Sequence, residues 1–288
     1  MNSLPASTVL VTGGAGRLGR LVVAALRARG IRTLSLSRRA IEHPDDLLAD
    51  LTDADGVIAA VGDGEVDVIV HLAAAVHRDD ALESGARMDG SLDRLIRTKL
   101  PHAVIFASTG AVYGDRSADA LTEESPALGT SPYALSKLSS EDALRAMTFG
   151  IPGLSVTTLR IFNVAGPDFP TSLVQRLLAA DSARPATLIR PDSYVRDYIH
   201  QEDLVNVILA AMDDPEPGYH LLNVGAGQPI PTRSLLRSLD IPDGAWVEVD
   251  GEDSRNWCDN TALVRRFGIA PRVLPTRAWG LRDPSGRA

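Results

Sequence analysis

The first half of the chain alternates short apolar runs with stretches whose apolar positions recur every three or four residues. Thr8–Thr12 is rich in β-branched residues, runs into glycines and predicts a buried strand. Leu18–Arg29 carries helical spacing, with Gly30 placed to end it. Ile31–Leu36, Val66–His71, Ala103–Ala107 and Ser155–Ile161 predict further strands, and Ser84–Lys99 and Pro132–Phe149 predict helices between them. Such strand–helix–strand repetition predicts an α/β fold, a doubly wound parallel sheet with right-handed crossovers. After about Gly166 prolines become frequent and the elements shorten. This predicts a first domain over 1–166 and a smaller C-terminal α/β lobe over 167–288, with 195–211 packing back on the first.

The chain has 288 residues, enough for one large or two modest domains. A formal charge of -8 without a long basic run argues against a nucleic-acid partner. No apolar run approaches the roughly 18 residues of a membrane span. The polar leader before Thr8 lacks the charged segment and long apolar core of a signal peptide. The lone Cys258 leaves no internal disulfide and fits a reducing compartment, so a cytoplasmic protein is expected. His77, His102, His200 and His220 have no metal-ligand spacing with one another or with Cys258, and no metal is expected.

Thr12-Gly13-Gly14-Ala15-Gly16-Arg17-Leu18-Gly19 lies where the first strand meets the first helix. Glycine allows the positive φ of a tight turn, and a missing side chain at Gly16 lets backbone N–H groups approach a pyrophosphate. The helix start adds partial positive charge, and Gly19 permits close helix–strand packing. Together they predict a Rossmann-type dinucleotide site. At the end of the next strand, Ser37-Arg38-Arg39 stands where an NAD site has an acidic residue on the ribose 2′-hydroxyl. A guanidinium binds a 2′-phosphate that a carboxylate would repel, so NADP is expected in preference to NAD. Asp50-Leu51 is placed to touch adenine.

Tyr133 and Lys137 are four residues apart and share a helix face, with Pro132 suited to the first turn. A neighbouring ammonium favours phenolate and is expected to lower the phenol's pKa. Beside a nicotinamide, such a pair can exchange a proton with a substrate oxygen while hydride moves. The strand Ala103–Ala107 leads into Ser108-Thr109-Gly110-Ala111-Val112-Tyr113-Gly114 and brings hydroxyls to the end of a parallel strand, where α/β ligand sites form.

These stretches resemble the extended short-chain dehydrogenase/reductases, specifically the NAD-dependent epimerase/dehydratase family that acts on nucleotide sugars. The resemblance runs nearly end to end through His71-Leu72-Ala73-Ala74, Leu159–Asn163, Gly166-Pro167 and Val195–His200. It implies Tyr133 as general acid/base, Lys137 as its activator and a nicotinamide-ribose ligand, and Thr109, with Ser108 as alternative, on the reacting oxygen. It further implies cofactor contacts at Leu72, Ala73 and Ala74, substrate contacts at Asn163 and Arg196, and a homodimer through the helices at 84–99 and 133–149. Three departures stand out. The cofactor acid is absent. Arg87 stands where the family often has an Asn. Glu248–Asp259 lacks an obvious phosphate-binding arginine, although Arg255 is close.

The leading expectation is an NADP-dependent reductase of a nucleotide-linked keto-sugar, of the dTDP-4-keto-6-deoxyhexose type. A nucleotide-sugar 4-epimerase with NAD, a reductase of a non-sugar carbonyl, and a non-catalytic dinucleotide sensor remain as alternatives. Gly110 and Ala111 after Thr109, in place of acidic residues, disfavour a dehydratase.

Overall fold

The computed structural model describes residues 8–39, 43–74 and 80–280. The leader before Thr8, His77 and the tail from Asp283 lie outside them. In chain order the elements are β1 (Thr8–Thr12), α1 (Arg17–Ala28), β2 (Arg32–Ser37), β3 (Asp46–Leu48), α2 (Ala54–Val61), β4 (Val68–His71), α3 (Ala81–Lys99), β5 (Ala103–Thr109), α4 (Pro132–Gly150) and β6 (Ser155–Ile161). Then follow β7 (Asn163–Ala165), α5 (Leu173–Leu178), β8 (Ala186–Ile189), β9 (Tyr194–Arg196), β10 (Tyr198–His200), α6 (Gln201–Asp213) and β11 (Gly218–Val224). The last are β12 (Ile230–Pro231), α7 (Thr232–Ser238), β13 (Trp246–Val249), β14 (Ser254–Asn256) and α8 (Thr261–Phe267).

A seven-stranded sheet has the order β11-β6-β5-β4-β1-β2-β3. Pairing from β5 through β4, β1 and β2 to β3 is parallel, with Leu10 opposite Leu34 on one side and Ile69 on the other. The order reverses at β1, so the ends of β1 and β4 border a crevice where open α/β sheets bind ligands. Every residue of β1 is buried, as its continuous apolar run requires of a central parallel strand. Leu10, Ile69, Val104 and Phe106 from the sheet pack with Leu92, Leu95 and Ile96 of α3.

Local signals explain the helix boundaries. Gly30, at φ 74, donates its N–H to Arg27 O and Ile31 donates to Leu26 O, a glycine-terminated end for α1. The Ser131 hydroxyl accepts from Ala134 N at 3.1 Å, and Pro132 occupies the first turn of α4. The strand β3 and helix α2 were not foreseen; β3 is three residues long and too short for a periodic signal.

The chain forms two compact units, not divided by one cut near 166. The first comprises 1–109, 130–159 and 207–221, and the second 110–129, 160–206 and 222–288. Residues 207–211 thus group with the first unit and 195–206 with the second. The second unit has its own core, in which Tyr198, Leu177, Leu188, Leu235 and Trp279 pack together. Within it, Asp197 is fully buried and accepts N–H bonds from Ala226 (2.8 Å), Gly227 (3.0 Å) and Cys258 (3.2 Å). Among the described residues, no helix is long and apolar enough to cross a membrane.

Candidate active site

The loop between β1 and α1 is shaped by its glycines. Gly13 has φ 73, and a Cβ there would stand 2.8 Å from Ala73 N. A Cβ on Gly19 would collide with Gly13 O. The amides of Gly13 and Gly14 donate to Leu36 O, and that of Gly16 to Gly13 O. These glycines therefore fix the turn, and their own N–H groups are used within it. The opening N–H groups in the first turn of α1 meet no preceding helical carbonyl and are of the type that receives an anion. That turn has no side-chain cap and no acidic residue, so its positive end is uncompensated from within the helix.

Beside this loop lies a cavity of about 470 Å³. Of the sequence-predicted cofactor residues, Gly13, Gly16, Arg17, Ser37, Arg38, Arg39, Asp50, Leu51, Leu72, Ala73 and Ala74 line it. Gly14, Leu18, Gly19, Tyr133 and Lys137 do not. Arg20, Ala49, Thr52, Ser84 and Met88 also line the cavity and were not foreseen. Arg20 lies three residues after Arg17 on the same helix face, which is the signal that would have found it. The rim carries Arg17, Arg20, Arg38 and Arg39 against the carboxylate of Asp50. Arg38 stands 3.8 Å from Asp50 with both side chains exposed, a pair worth little in water and easily redirected. An open crevice and a bare helix start suit the pyrophosphate of a dinucleotide.

Tyr133 and Lys137 line a smaller pocket that shares Ala73, Ala74 and Met88 with the cavity. The Tyr133 phenol is hydrogen-bonded to Thr109. Burial pushes its pKa up, and that hydrogen bond partly opposes the rise. Lys137 is buried; its Nζ donates to Ala107 O at 2.8 Å and lies 4.5 Å from the centre of the Phe106 ring. Burial lowers its pKa to about 8, while Asp89 and Glu141 act to raise it. The expected lowering of the phenol's pKa is therefore not seen: burial outweighs the hydrogen bond and the net shift is upward.

Ser108 and Thr109 separate cleanly. Neighbours along a strand point to opposite faces. Thr109 reaches the phenol, whereas buried Ser108 donates its hydroxyl to Glu141. His71 bonds Thr12 Oγ1 at 3.0 Å, stacks on Phe106 and is kept neutral by burial, with a pKa of about 3. It is a packed histidine, as its position at the end of a core strand suggests.

The remaining predicted residues lie in the second unit. Asn163 donates through Nδ2 to Asp197 O at 2.8 Å. The Arg196 guanidinium stacks 3.9 Å from the Tyr194 ring centre and donates to Val195 O (2.9 Å) and Ser254 Oγ (2.7 Å). Arg255 lines a separate surface cavity of about 510 Å³ with Arg116 and Arg190. Cys258 is buried against Asp197, and burial pushes its thiol up, which makes it an inert packing residue. Among the described residues, no cluster of His, Cys, Asp and Glu has metal-binding geometry.

Comparison with known proteins places this geometry. The sequence model of the NAD dependent epimerase/dehydratase family matches residues 9–225. UDP-glucose 4-epimerase of Azospirillum brasilense is 30% identical, over 86% of this chain and 80% of the relative. dTDP-glucose 4,6-dehydratase of Streptomyces griseus is also 30% identical, over 92% and 89%. The crystal structure of dTDP-glucose 4,6-dehydratase from Bacillus anthracis in complex with NAD superposes with a TM-score of 0.81 at 22% identity, covering 96% of this chain and 94% of that one. That last likeness is one of fold.

Proposed function

Because the chain belongs to the NAD dependent epimerase/dehydratase family, we propose that it is an NADP-dependent reductase of a nucleotide-linked keto-sugar of the 4-keto-6-deoxyhexose type. The observation that carries this reading is the cavity rim. The residues directly after β2 are Arg38 and Arg39 and not a carboxylate, and with Ser37 they line the cavity. A 2′-phosphate gains charge-assisted hydrogen bonds there. A preference for NADP favours net reduction, since a reductase consumes reduced cofactor at each turnover.

The nicotinamide, when bound, supplies the hydride. Tyr133 gives its proton to the substrate oxygen, and Thr109, already bonded to the phenol, holds that oxygen. Burial raises the phenol's pKa and keeps it protonated at neutral pH, the state a proton donor needs. The Lys137 ammonium, positioned by Ala107 O, offsets the negative charge left on the phenol and holds the cofactor's ribose.

The second reading is an NAD-dependent nucleotide-sugar 4-epimerase. It is favoured by the 30% identity to the Azospirillum enzyme and uses nearly the same acid/base set. Incubation with NADPH and dTDP-4-keto-6-deoxyglucose separates the two. Stoichiometric loss of NADPH with formation of a 6-deoxyhexose supports the reductase. Interconversion of UDP-glucose and UDP-galactose without net cofactor oxidation supports the epimerase.

The cofactor assignment has its own test. Arg38→Asp removes a guanidinium and places a carboxylate at the 2′ position. Loss of a charged hydrogen bond of about 1.5–3 kcal/mol raises the Kd for NADPH by roughly 10- to 100-fold. NADH binding is expected to change little or to improve. Fluorescence titration of both cofactors measures this, and equal effects on the two would remove the NADP preference.

A further inference from the structure

Helices α3 and α4 meet along a seam of small and polar residues. A Cβ on Gly85 would collide with the Ser136 hydroxyl, so the helices approach closely there. One turn further, Asp89 Oδ1 accepts a 2.6 Å hydrogen bond from Ser140 Oγ. Gly85 and Asp89 thus face α4 from one side, and Ser136 and Ser140 face α3 from the other. The pocket in this seam is lined by Asp89, Lys137 and Tyr133 and has room for about one water molecule. Lys137 is buried, whereas Asp89 is half-buried and retains contact with solvent.

Among the described residues, the charged and titratable groups around Lys137 are few. From α4, Glu141 acts on it while its carboxylate is held by Ser108. From β4, His71 is neutral. From α3, Asp89 supplies negative charge, and Tyr133 completes the pocket on α4. Of the carboxylates, Asp89 is the one that both borders this pocket and touches solvent.

We propose that Asp89 is a positioning residue that keeps Lys137 in its ammonium form and relays solvent protons to it between turnovers. This rests on the reductase reading. Net reduction takes up one proton per carbonyl, whereas epimerisation returns the proton it borrows. After Tyr133 gives its proton to the substrate oxygen, the phenolate takes one from the Lys137 ammonium. The Asp89 carboxylate takes up a proton from solvent and passes it to the resulting amine, which restores both the ammonium and the carboxylate. Overall, one carbonyl, one hydride and one solvent proton give one alcohol.

Lys99 and Lys137 are the chain's two lysines, so side-chain 13C-lysine labelling gives two resolvable titrations by NMR. In the wild-type protein without substrate, Lys137 is expected to titrate near the value of about 8 that its surroundings impose. In Asp89→Asn, which preserves shape and removes charge, the midpoint is expected to fall by about one pH unit, and Asp89→Glu is expected to restore it. With NADPH and the keto-sugar, Asp89→Asn should lower kcat about tenfold, leave the KM for NADPH unchanged and move the alkaline limb to lower pH. A Lys137 midpoint identical in wild type and Asp89→Asn, or unchanged turnover across the pH range, overturns the proposal. If the wild-type protein itself oxidises no NADPH, the reductase reading fails on its own. The Lys137 titration then decides for or against Asp89 as its charge partner.

Discussion

Tyr133→Phe is expected to lower kcat by about 10²- to 10⁴-fold while leaving NADPH affinity and thermal stability close to wild type. The substitution removes one oxygen from a half-buried ring at the start of α4, where Ser131 and Pro132 set the helix independently of the phenol. The loss in rate follows from the role of that oxygen. It is the one acid bonded to Thr109 at the edge of the pocket shared with the cofactor cavity. Steady-state kinetics with a Kd and a melting curve on the same preparation checks this. A variant that retained full turnover would remove Tyr133 from the chemistry.

The largest effect on stability is expected at Asp197, outside the catalytic pair. Its carboxylate is fully buried and accepts from the backbone of Ala226, Gly227 and Cys258 and from Cys258 Sγ. These donors come from the loop after β11 and the loop after β14, so one side chain ties two segments to the end of β9. Asp197→Ala leaves the N–H groups of Gly227 and Cys258 without their acceptor and takes one of two acceptors from Ala226, whose N–H also reaches Tyr198 O. Each such orphan costs about 1–3 kcal/mol, and with partial relaxation the total is about 3–5 kcal/mol. For a chain of this size, that corresponds to a fall in Tm of about 10 °C. Asp197→Asn keeps one acceptor oxygen and should lose less. Thermal or urea melts of the three proteins test this, and a Tm for Asp197→Ala within a degree of wild type would refute it.

The parts of the molecule legible in the sequence are those whose signals are local. The strand β1, the glycine turn and α1 follow one another without a break, and each announces the next. Lys137 falls one turn after Tyr133 because Ser131 and Pro132 start α4 just before them. Long-range partners were not legible. Asp89 lies 48 residues from Lys137, and only the close approach of α3 to α4 at Gly85 brings it to the same pocket. The choice between Ser108 and Thr109 stayed open because adjacent strand residues differ in face, and the face toward Tyr133 depends on where α4 packs. Arg38 and Arg39 were legible as an absence of acid, whereas Arg20 joined them through helical periodicity.

The most direct test of the central claim, that Tyr133 protonates a carbonyl while the nicotinamide reduces it, follows the fate of the hydride. The protein is incubated with NADPH deuterated at the transferable position of the nicotinamide and with dTDP-4-keto-6-deoxyglucose. The account predicts one deuterium at carbon 4 of the product sugar for each NADPH oxidised, with Tyr133→Phe slowing the transfer. Deuterium that stays on the cofactor while the configuration at carbon 4 of a nucleotide sugar inverts would contradict it.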